Sequence, residues 1–391
     1  MDPKFMPLVT IITPSYNQGE FIQETIESVL NQDYPYIEHI VVDGGSTDST
    51  LTILKSYRDD PRFHFISEPD QGQSHAINKG LKIAKGDIIG WLNSDDTYLP
   101  GAISKGVQSL VQHQEWAMVY GKAYATNQNN DILHDYPVEC YSPQRLFERC
   151  IICQPATFIR RKAFKDVGGV DENFFFCMDY DLWIRLAKKY PIGYLNDYLA
   201  NARIHDHSKS ALYWEKIGVV ECIEAGLKNY GKISNTMIAD FIKVNSNKEE
   251  IWWIEQMKKY GFFPSSLSES DILCKEIDIN NHHYDLSVNS NLSALGIKGT
   301  LLQSGDSHLK IYFKGELVES YSITKDSFIL TLPSKVMQKS SNIQPLSIKL
   351  DPSTYHLDHI YPLSVQEYAF LQQVNQSHRQ VKAWLKQNRP I

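Results

Sequence analysis

The chain has 391 residues, of which 42% are hydrophobic and 22% are charged, and it contains 16 Phe, 22 Tyr and 7 Trp. This composition excludes a chain that is disordered over most of its length, and it predicts two or three domains at roughly 100–200 residues per domain. With 39 basic and 46 acidic side chains the net charge is −7, which argues against the broad basic surface of a nucleic-acid-binding protein.

Short apolar runs alternate with helical patterns over the first half of the chain. The predicted strands are Leu8–Ile12, His39–Val42, Phe63–Ile66 and Asp87–Leu92, and the predicted helices are Glu20–Asn31, Thr50–Tyr57 and Ser74–Lys85. We expect Thr13-Pro14 to end the first strand. This alternation favours an α/β domain with a mostly parallel sheet covered on both faces. Ligands of such sheets bind beyond the carboxyl ends of the strands, where three of these four strands end in polar, glycine-rich or acidic turns.

The pattern then changes twice, which predicts three regions: 1–212, 213–270 and 271–391. The middle region reads as helices with polar loops. In the last region, short strands alternate polar and apolar residues between turns, which predicts an antiparallel β-sandwich. These strands are Tyr284–Val288, Leu309–Phe313, Phe328–Leu332 and Leu346–Leu350, and a final helix is predicted over Ser364–Lys386.

The sequence predicts a cytoplasmic protein. No stretch approaches the roughly 18–20 apolar residues of a membrane span, and the first ten residues read as the start of a strand rather than as a secretory signal. Six cysteines in a chain this long do not indicate a disulfide framework. Cys150 and Cys153 have CxxC spacing, but without a second pair we favour buried thiols over a zinc or redox site.

Two apolar segments leave open a peripheral contact with the inner face of the cell membrane. For Ile251–Met257 and the following Phe262-Phe263 we favour packing into a core, because large aromatic side chains usually serve that role. The final helix is equally compatible with docking, dimerisation and a membrane surface. Its apolar residues are Tyr368, Leu371, Val381, Trp384 and Leu385.

Asp95 and Asp96 directly follow a predicted buried strand. Because adjacent carboxylates repel one another, a bound cation is one reason to retain both, and oxygen ligands favour Mg²⁺ or Mn²⁺ over zinc. The structural alternative is an exposed turn.

Three further segments have both a functional and a structural interpretation. Asp43 precedes Gly44-Gly45, where a carboxylate can accept a hydrogen bond from a base or ribose, or can belong to an ordinary capped turn. Asp179 opens an amphipathic helix, where an acidic residue is commonly a cap. His205 and His207 flank an acid after a strand-like stretch, where an imidazole could reach a metal or be purely structural.

These segments occur together in one order. They are Val9–Asn17, Val41–Asp48, Asn93–Asp96 and Met178–Trp183, and as a set they resemble family 2 glycosyltransferases of the GT-A fold. The resemblance covers more than half of the chain. It implies a GT-A domain over 1–212 that transfers a sugar from a nucleotide-sugar donor with inversion at the anomeric carbon.

The resemblance also implies a donor site at the strand ends. It assigns Tyr16 to stacking on the base and Asp43 to the pyrimidine ring N–H, which favours a UDP-sugar. Arg203 belongs to a segment that closes over the diphosphate. The residues implied around the donor are Thr13, Pro14, Tyr16, Asp43, Asp70, Gly72, Asn78, Lys79, Asp95 and Arg203.

A divalent metal, Mn²⁺ or Mg²⁺, follows from the same resemblance. Its implied ligands are Asp95, Asp96 and His205, with His207 as a competitor for the role of His205. Asn93 stands where many relatives carry a further Asp, so the similarity leaves open which carboxylate binds the metal directly.

Asp179 matches the base that takes the proton from the acceptor hydroxyl, and Gln154 and Trp183 are expected to line the acceptor or donor-sugar pocket. The expected function is transfer of a sugar to a hydroxyl of a glycan, lipid-linked glycan or other glycoconjugate in surface polysaccharide synthesis. One base without a covalent intermediate predicts a single displacement. We expect no nucleic-acid partner, and a homo-oligomer is left open.

Two rival functions follow from the same residues. The first is an inactive transferase-like protein that binds carbohydrate or assembles subunits, against which the intact Asp95, Asp96 and Asp179 argue. The second is a nucleotidyltransferase, which would usually place a cation in the loop after the first strand. The segment Thr13–Gly19 offers none.

Overall fold

The computed structural model describes residues 6–245, 247–248, 250–262, 272–278, 283–288, 294–301, 307–323, 327–331, 344–350, 355–376 and 383. Its contacts divide the chain into two units, residues 1–237 and 238–391. The boundaries at 212 and 270 stay predictions.

Strands and helices alternate in the first unit. The strands are β1 (Val9–Ser15), β2 (Ile37–Asp43), β3 (Phe63–Ser67), β4 (Ile88–Trp91), β5 (Thr97–Tyr98), β6 (Met118–Thr126), β7 (Ile132–Asp135), β8 (Thr157–Arg160) and β9 (Ile192–Arg203). The helices are α1 (Ile22–Leu30), α2 (Thr50–Ser56), α3 (Gln73–Ile83), α4 (Ala102–Gln112), α5 (Pro143–Glu148), α6 (Arg161–Asp166), α7 (Met178–Lys189), α8 (Lys209–Tyr213) and α9 (Val219–Tyr230). A 3₁₀ turn (Gln154–Ala156) precedes β8, and a π-helical turn (Trp214–Gly218) joins α8 to α9.

The strands of this unit form one sheet in the order β3-β2-β1-β4-β8-β6-β9-β5, with β7 paired to β6. Strands β3, β2, β1 and β4 are parallel to one another, whereas β8 is antiparallel to both β4 and β6. The predicted α/β class is confirmed, but the sheet is mixed rather than mostly parallel. Apolar runs identify buried strands without recording strand direction, so the sequence pattern could not show this.

The first strand continues through Pro14 to Ser15, beyond its predicted end. The carbonyl of Ile12 accepts the N–H of Leu92 at 3.1 Å, so the backbone polar groups of Ile12 are directed toward β4. The backbone of Pro14, two residues later, is directed to the same side. Because β4 ends opposite Ile12, the ladder needs no N–H from Pro14. Ser15 therefore pairs with Asp43, and the ends of β1 and β2 lie at one edge of the sheet.

Two hydrophobic clusters stabilise the sheet. One joins α1, with its apolar residues four positions apart, to β2, α2 and β3 through Ile22, Ile26, Leu30, Val41, Leu54 and Phe63. The other combines residues of β1, β4, β6, β8 and β9 with one face of α4, including Ile103, Val107 and Leu110. These helical spacings are the signal that predicted α1 from the sequence.

In the rest of the chain, the described residues form mainly helices and antiparallel strands. The helices are α10 (Asn235–Val244), α11 (Glu250–Lys259) and α12 (Val365–Gln376). The strands are β10 (Ile272–Asp278), β11 (His283–Val288), β12 (Ala294–Leu301), β13 (Ser307–Phe313), β14 (Glu316–Ile323), β15 (Ser327–Thr331), β16 (Gln344–Leu350) and β17 (Tyr355–Leu363). They form a five-stranded sheet, β10-β11-β16-β13-β14, and a three-stranded sheet, β15-β12-β17. The antiparallel pairing agrees with the sequence pattern, and face-to-face packing as a sandwich stays a prediction.

The aromatic segment of α11 packs into the second unit. Trp253 is 2% exposed, and its ring centroid lies 5.5 Å from that of Phe241 and 6.3 Å from that of Phe370. Phe262 is also buried. These contacts agree with the core interpretation of this segment. Some residues named in the sequence predictions lie outside the described residues: Phe263, Leu332, Val381, Trp384, Leu385 and Lys386.

None of the helices in the described part of the chain is long and apolar enough to cross a membrane.

Candidate active site

A cavity of about 1160 Å³ opens at the carboxyl ends of β1, β2, β3 and β4. The remaining walls come from the start of α3, the 3₁₀ turn, the first turn of α7 and the segment 202–214. This is the edge at which an open α/β sheet places its ligands. All of these elements belong to the first unit.

Asp95 and Asp96 form a turn that follows β4, and both line the cavity. Asp96 is 6% exposed, and its carboxylate accepts the backbone N–H of Arg203 at 2.9 Å and the amide of Asn93 at 3.2 Å. Burial, followed by the charge of Asp95, raises the pKa of Asp96 well above its usual range. The Asp96 carboxylate is thus engaged by the protein, whereas Asp95 is the more open of the two.

Arg203 fixes this turn from the end of β9. Its Nε donates to the carbonyl of Asp95 at 2.7 Å, one terminal nitrogen pairs with Glu24, and the other donates to the carbonyl of Gln128. The guanidinium also lies 4.9 Å from the ring centroid of Phe21. Arg203 borders the cavity, as expected for a donor contact, but its side chain is 2% exposed and its donors are directed into the protein.

His205 is the nearest imidazole to this turn. Its Nε2 lies 3.2 Å from a carboxylate oxygen of Asp95, and its buried Nδ1 finds no hydrogen-bond partner among the described residues. His207, the competitor, is exposed and lines the cavity. Within the part of the chain that the structure describes, no three His, Cys, Asp or Glu side chains form a ready metal-binding group.

The pair of Asp95 and His205 nonetheless suits a divalent cation. A carboxylate and an imidazole are ligands that Mn²⁺ accepts, and Mg²⁺ is commonly bound through one or two carboxylates together with water and substrate phosphates. Nε2 of His205 and the cavity-facing carboxylate of Asp95 lie close together, and these two groups are the structural features that fit such an ion.

Asp43 is completely buried at the end of β2. Its carboxylate accepts the backbone N–H of Gly45 at 3.2 Å and of Ser46 at 3.0 Å, the hydroxyl of Ser67 at 2.7 Å, and the hydroxyl of Ser46. Three of these donors meet at one carboxylate oxygen, and the other oxygen accepts only the Ser46 hydroxyl. Because Asp43 is completely buried and is not part of the cavity lining, the structure does not present it as an open acceptor for a base.

The other residues implied around the donor divide into two groups. Those that line the cavity are Pro14, Tyr16, Asp70 and Gly72. Tyr16 is 61% exposed, and the Asp70 carboxylate accepts the N–H of Gly72 at 2.7 Å.

The second group lies away from the cavity lining. Thr13 is buried and its hydroxyl lies 3.0 Å from Nε2 of His39. The amide nitrogen of Asn78 donates to the carbonyl of Val170 at 2.9 Å, and Lys79 pairs with Glu68 at 2.7 Å. The structure therefore gives these three side chains partners within the protein.

Asp179 lies in the first turn of α7 and lines the same cavity as Asp95. Its carboxylate accepts the backbone N–H of Tyr180 at 2.7 Å. Burial raises the pKa of Asp179 to about 6, partly offset by backbone hydrogen bonds and by the positive charge of Lys209. A carboxylate with this pKa is ionised at neutral pH and is a stronger base than an ordinary aspartate.

Gln154 and Trp183 lie in different surroundings. Gln154 lines the cavity, and its carbonyl accepts the amide of Asn93 at 2.8 Å. Trp183 is 0% exposed, packs with its ring centroid 6.5 Å from that of Trp91, and is not part of the cavity lining. The indole N–H of Trp183 has no hydrogen-bond partner in the described structure. Trp183 therefore packs inside the domain and does not form the expected wall of the pocket.

Two charged residues near Asp179 were missed by the sequence argument. Lys209 lines the cavity, donates to the side chain of Gln73 at 2.8 Å, and has a pKa lowered to about 8 by burial. Glu221 is buried on α9 and accepts three consecutive backbone N–H groups just before α7. The only signal for Glu221 in the sequence is an acidic residue within the otherwise apolar run of residues 219–223.

The cysteine pair with CxxC spacing also borders the cavity. Burial raises the pKa of both Cys150 and Cys153 well above the usual thiol range. Both are free thiols, which agrees with the structural interpretation of the pair.

The chain was compared with known proteins. Residues 10–168 match the model of the family "Glycosyl transferase family 2". Chondroitin synthase of Escherichia coli is 32% identical over 213 residues, which are 53% of this chain and 30% of that protein. The N-terminal unit carries a family 2 glycosyltransferase domain. The resemblance found in the sequence is thereby confirmed at the level of the family.

One further relative and one solved structure are also similar to this chain. An uncharacterized glycosyltransferase of Rickettsia typhi is 29% identical over 243 residues, which are 60% of this chain and 76% of that protein. The crystal structure of Staphylococcus aureus TarS 1–349 in complex with UDP-GlcNAc aligns with a TM-score of 0.47 and 18% identity, over 68% of this chain and 74% of that chain.

These matches cover only part of this chain and part of the related chondroitin synthase. The chain spans 30% of the length of the E. coli chondroitin synthase. The residues matched by the family model end at 168, before Asp179, Arg203 and His205 in the glycosyltransferase domain. The roles of these three residues therefore depend on the geometry of the cavity.

Proposed function

We propose that the glycosyltransferase domain transfers a sugar from a nucleoside-diphosphate donor, with a UDP-sugar favoured, to a hydroxyl of a glycan or glycoconjugate. One observation carries this proposal: Asp95 of the strand-end turn and Asp179 of α7 line the same cavity. The reaction needs both a site for the diphosphate and a base for the acceptor. The match to a chondroitin synthase supports polysaccharide synthesis as the setting.

On the donor side, Asp95 and His205 are the residues that would hold a divalent cation. When bound, Mn²⁺ or Mg²⁺ supplies positive charge that neutralises the diphosphate leaving group. Asp96 keeps the turn in place, because its carboxylate accepts the N–H of Arg203 while the Arg203 side chain holds the carbonyl of Asp95. Among the carboxylates, we therefore assign direct metal contact to Asp95 and a positioning role to Asp96.

On the acceptor side, Asp179 takes the proton from the attacking hydroxyl. A raised pKa of about 6 strengthens this base while leaving it ionised at neutral pH. The hydroxyl oxygen attacks the anomeric carbon on the face opposite the diphosphate, so the bond to the diphosphate breaks as the glycosidic bond forms. A single displacement of this kind inverts the anomeric configuration.

The test is a thermal-shift and calorimetry screen of UDP, dTDP, GDP and CMP, each with Mn²⁺ and with EDTA. A nucleotide at 100 times its dissociation constant adds about 2.7 kcal/mol of stability. We expect Mn²⁺-dependent stabilisation by one nucleoside diphosphate, and by UDP above the others. If none of the four stabilises the protein, the donor site is wrong, and the carbohydrate-binding or assembly role becomes the better account.

A further inference from the structure

Four aromatic side chains meet at the edge of the cavity. Phe175 and Phe176 immediately precede α7, Tyr213 ends α8, and Trp214 begins the π-helical turn. Phe175 and Tyr213 meet edge to face with centroids 5.1 Å apart, and the centroids of Phe176 and Trp214 are 5.9 Å apart. We term these four residues the aromatic cluster.

The aromatic cluster is open to solvent to an unusual degree for its size. Phe175 is 45% exposed and Trp214 is 40% exposed, and the neighbouring Leu212 is 46% exposed. Single exposed apolar residues are common, but a contiguous group beside a cavity marks a binding surface. Phe176, Tyr213 and Trp214 also line the cavity itself, together with Asp179.

Glu221 holds one half of the aromatic cluster in place. Its buried carboxylate accepts the backbone N–H of Phe175 at 2.9 Å, of Phe176 at 2.7 Å and of Cys177 at 2.9 Å. Hydrogen bonds from backbone N–H groups to an ionised acceptor are among the stronger ones in proteins. They fix the backbone that carries the two rings and leads directly into Asp179.

Gly218 packs against two rings of the aromatic cluster, those of Trp214 and Phe176. A Cβ atom at this position would lie 2.8 Å from the ring of Trp214 and 2.9 Å from the ring of Phe176. Both rings therefore rest against the backbone of Gly218, closer than any larger residue allows. The cluster is built from both sides and is not a chance exposure of single side chains.

The size of the cavity leaves room for a second substrate. Sites for one drug-sized ligand usually measure about 300–1,000 Å³, and this cavity of about 1160 Å³ exceeds that range. The strand ends and the Asp95 turn serve the donor in the proposed function. An acceptor must bring a hydroxyl within hydrogen-bond reach of Asp179, only three residues after Phe176.

Resting on the proposed function, we propose that the aromatic cluster is the acceptor subsite and that it binds a neutral pyranose ring. A pyranose presents a face of C–H bonds, and the negative face of an aromatic ring attracts their slightly positive hydrogens. Because the ammonium of Lys209 lies 4.1 Å from the centroid of Phe175, we assign the stacking to Trp214 and Tyr213. Trp183 cannot take this role, because it is completely buried.

Saturation-transfer NMR with methyl β-D-glucopyranoside and methyl β-D-galactopyranoside tests this subsite in the 391-residue chain. We expect saturation to reach the ring C–H protons of at least one glycoside, and Trp214→Ala to lower that signal at least fivefold. Tyr36→Ala is the matched control, because Tyr36 is 42% exposed and lies outside the cavity lining. No transfer in the wild type, or equal transfer in the Trp214 and Tyr36 variants, would overturn the proposal.

A second variant guards against a general folding defect. Gly218 has φ −56° and ψ −48°, so Gly218→Ala suits the helical backbone and retains all four rings while displacing two of them. We expect it to weaken the glycoside signal as Trp214→Ala does; an unchanged signal argues against the assignment. Stabilisation by UDP with Mn²⁺ is measured on the same samples. Its absence in the wild type contradicts the proposed function, whereas its presence without a glycoside signal contradicts only the acceptor subsite.

Discussion

The two walls of the cavity are built in different ways. On the strand-end wall, the carboxylates of Asp43 and Asp96 are held by hydrogen bonds from their own loops and from Arg203. On the helix wall, Asp179 accepts the N–H of its neighbour Tyr180, and burial raises its pKa to about 6. The first wall fixes acids in place, whereas the second leaves an acid ready to exchange a proton.

This difference suits the roles of the two walls in the proposed function. A diphosphate and its cation carry full charges, so a rigid set of dipoles and ligands stabilises them without reorganisation. A catalytic base must instead change its protonation state during every turnover, which requires a pKa near the working pH. We therefore expect substitutions on the two walls to separate donor binding from turnover.

Asp179→Asn gives the largest expected effect. Loss of a general base typically lowers the rate about 10²–10⁴-fold, and the amide retains the shape of the side chain. We expect the rate of UDP release in the presence of acceptor to fall by this factor. The dissociation constant for UDP, measured by calorimetry, should stay unchanged. Asp59→Asn, on a side chain that is 93% exposed, is the matched control. Unchanged turnover would remove Asp179 from the mechanism.

Asp95→Asn acts on the opposite wall. The amide keeps the size of the side chain but is a poor ligand for a divalent cation. The part of the UDP stabilisation that depends on Mn²⁺, about 2.7 kcal/mol at 100 times the dissociation constant, should therefore disappear in thermal-shift measurements. Retention of that stabilisation in Asp95→Asn would mean that this carboxylate does not hold the metal.

Glu221→Gln tests how the helix wall is positioned. The substitution removes the charge from an acceptor of three backbone N–H groups, so the segment before Asp179 should loosen. We expect kcat to fall about tenfold, because small displacements of a catalytic group slow the chemical step, and the KM for the donor to stay unchanged. Glu215→Gln, at an exposed position of the π-helical turn, provides the control. If the KM for the donor rises as kcat falls, the two walls do not act separately on donor binding and on turnover.

The smallest expected effect is on stability as a function of pH. The pKa of Asp179 is about 6 in the folded chain and 3.8 without the protein environment, so between these values the folded state binds more protons. The contribution of Asp179 to the free energy of unfolding is therefore complete below pH 3.8 and is lost as the pH rises through 6. Melting temperatures of wild type and Asp179→Asn should agree near pH 4, and the variant should melt a few degrees higher at pH 7. Equal melting temperatures at both pH values would show that burial does not perturb Asp179.

The strand-end wall could largely be anticipated from the sequence. Asp95 and Asp96 directly follow an apolar strand, and the strand-end rule places such a turn at the cavity. A short contiguous motif keeps its residues together however the rest of the chain folds. What the motif could not show is the hydrogen-bond set of each acid, such as the four donors to the Asp43 carboxylate.

The helix wall was anticipated only at Asp179. Trp183 has the type and spacing of a pocket residue, but helical periodicity does not distinguish a face that lines a cavity from one that packs against Trp91. Glu221, Lys209 and the aromatic cluster come from three separate segments that only the fold brings together. The antiparallel direction of β8 in the first sheet was missed for the related reason that pairing direction is a long-range property.

Ser67, at the end of β3, has a consequence for how this domain could change donors during evolution. Two of the four groups on the Asp43 carboxylate are backbone N–H groups that cannot move without the loop, whereas the Ser67 hydroxyl turns about one bond. A rotation or a single substitution at Ser67 would remove one of the three donors to the same Asp43 oxygen while the backbone contacts stay in place. Selectivity for the base would then drift through a neighbouring hydroxyl while the acidic residue itself stayed the same.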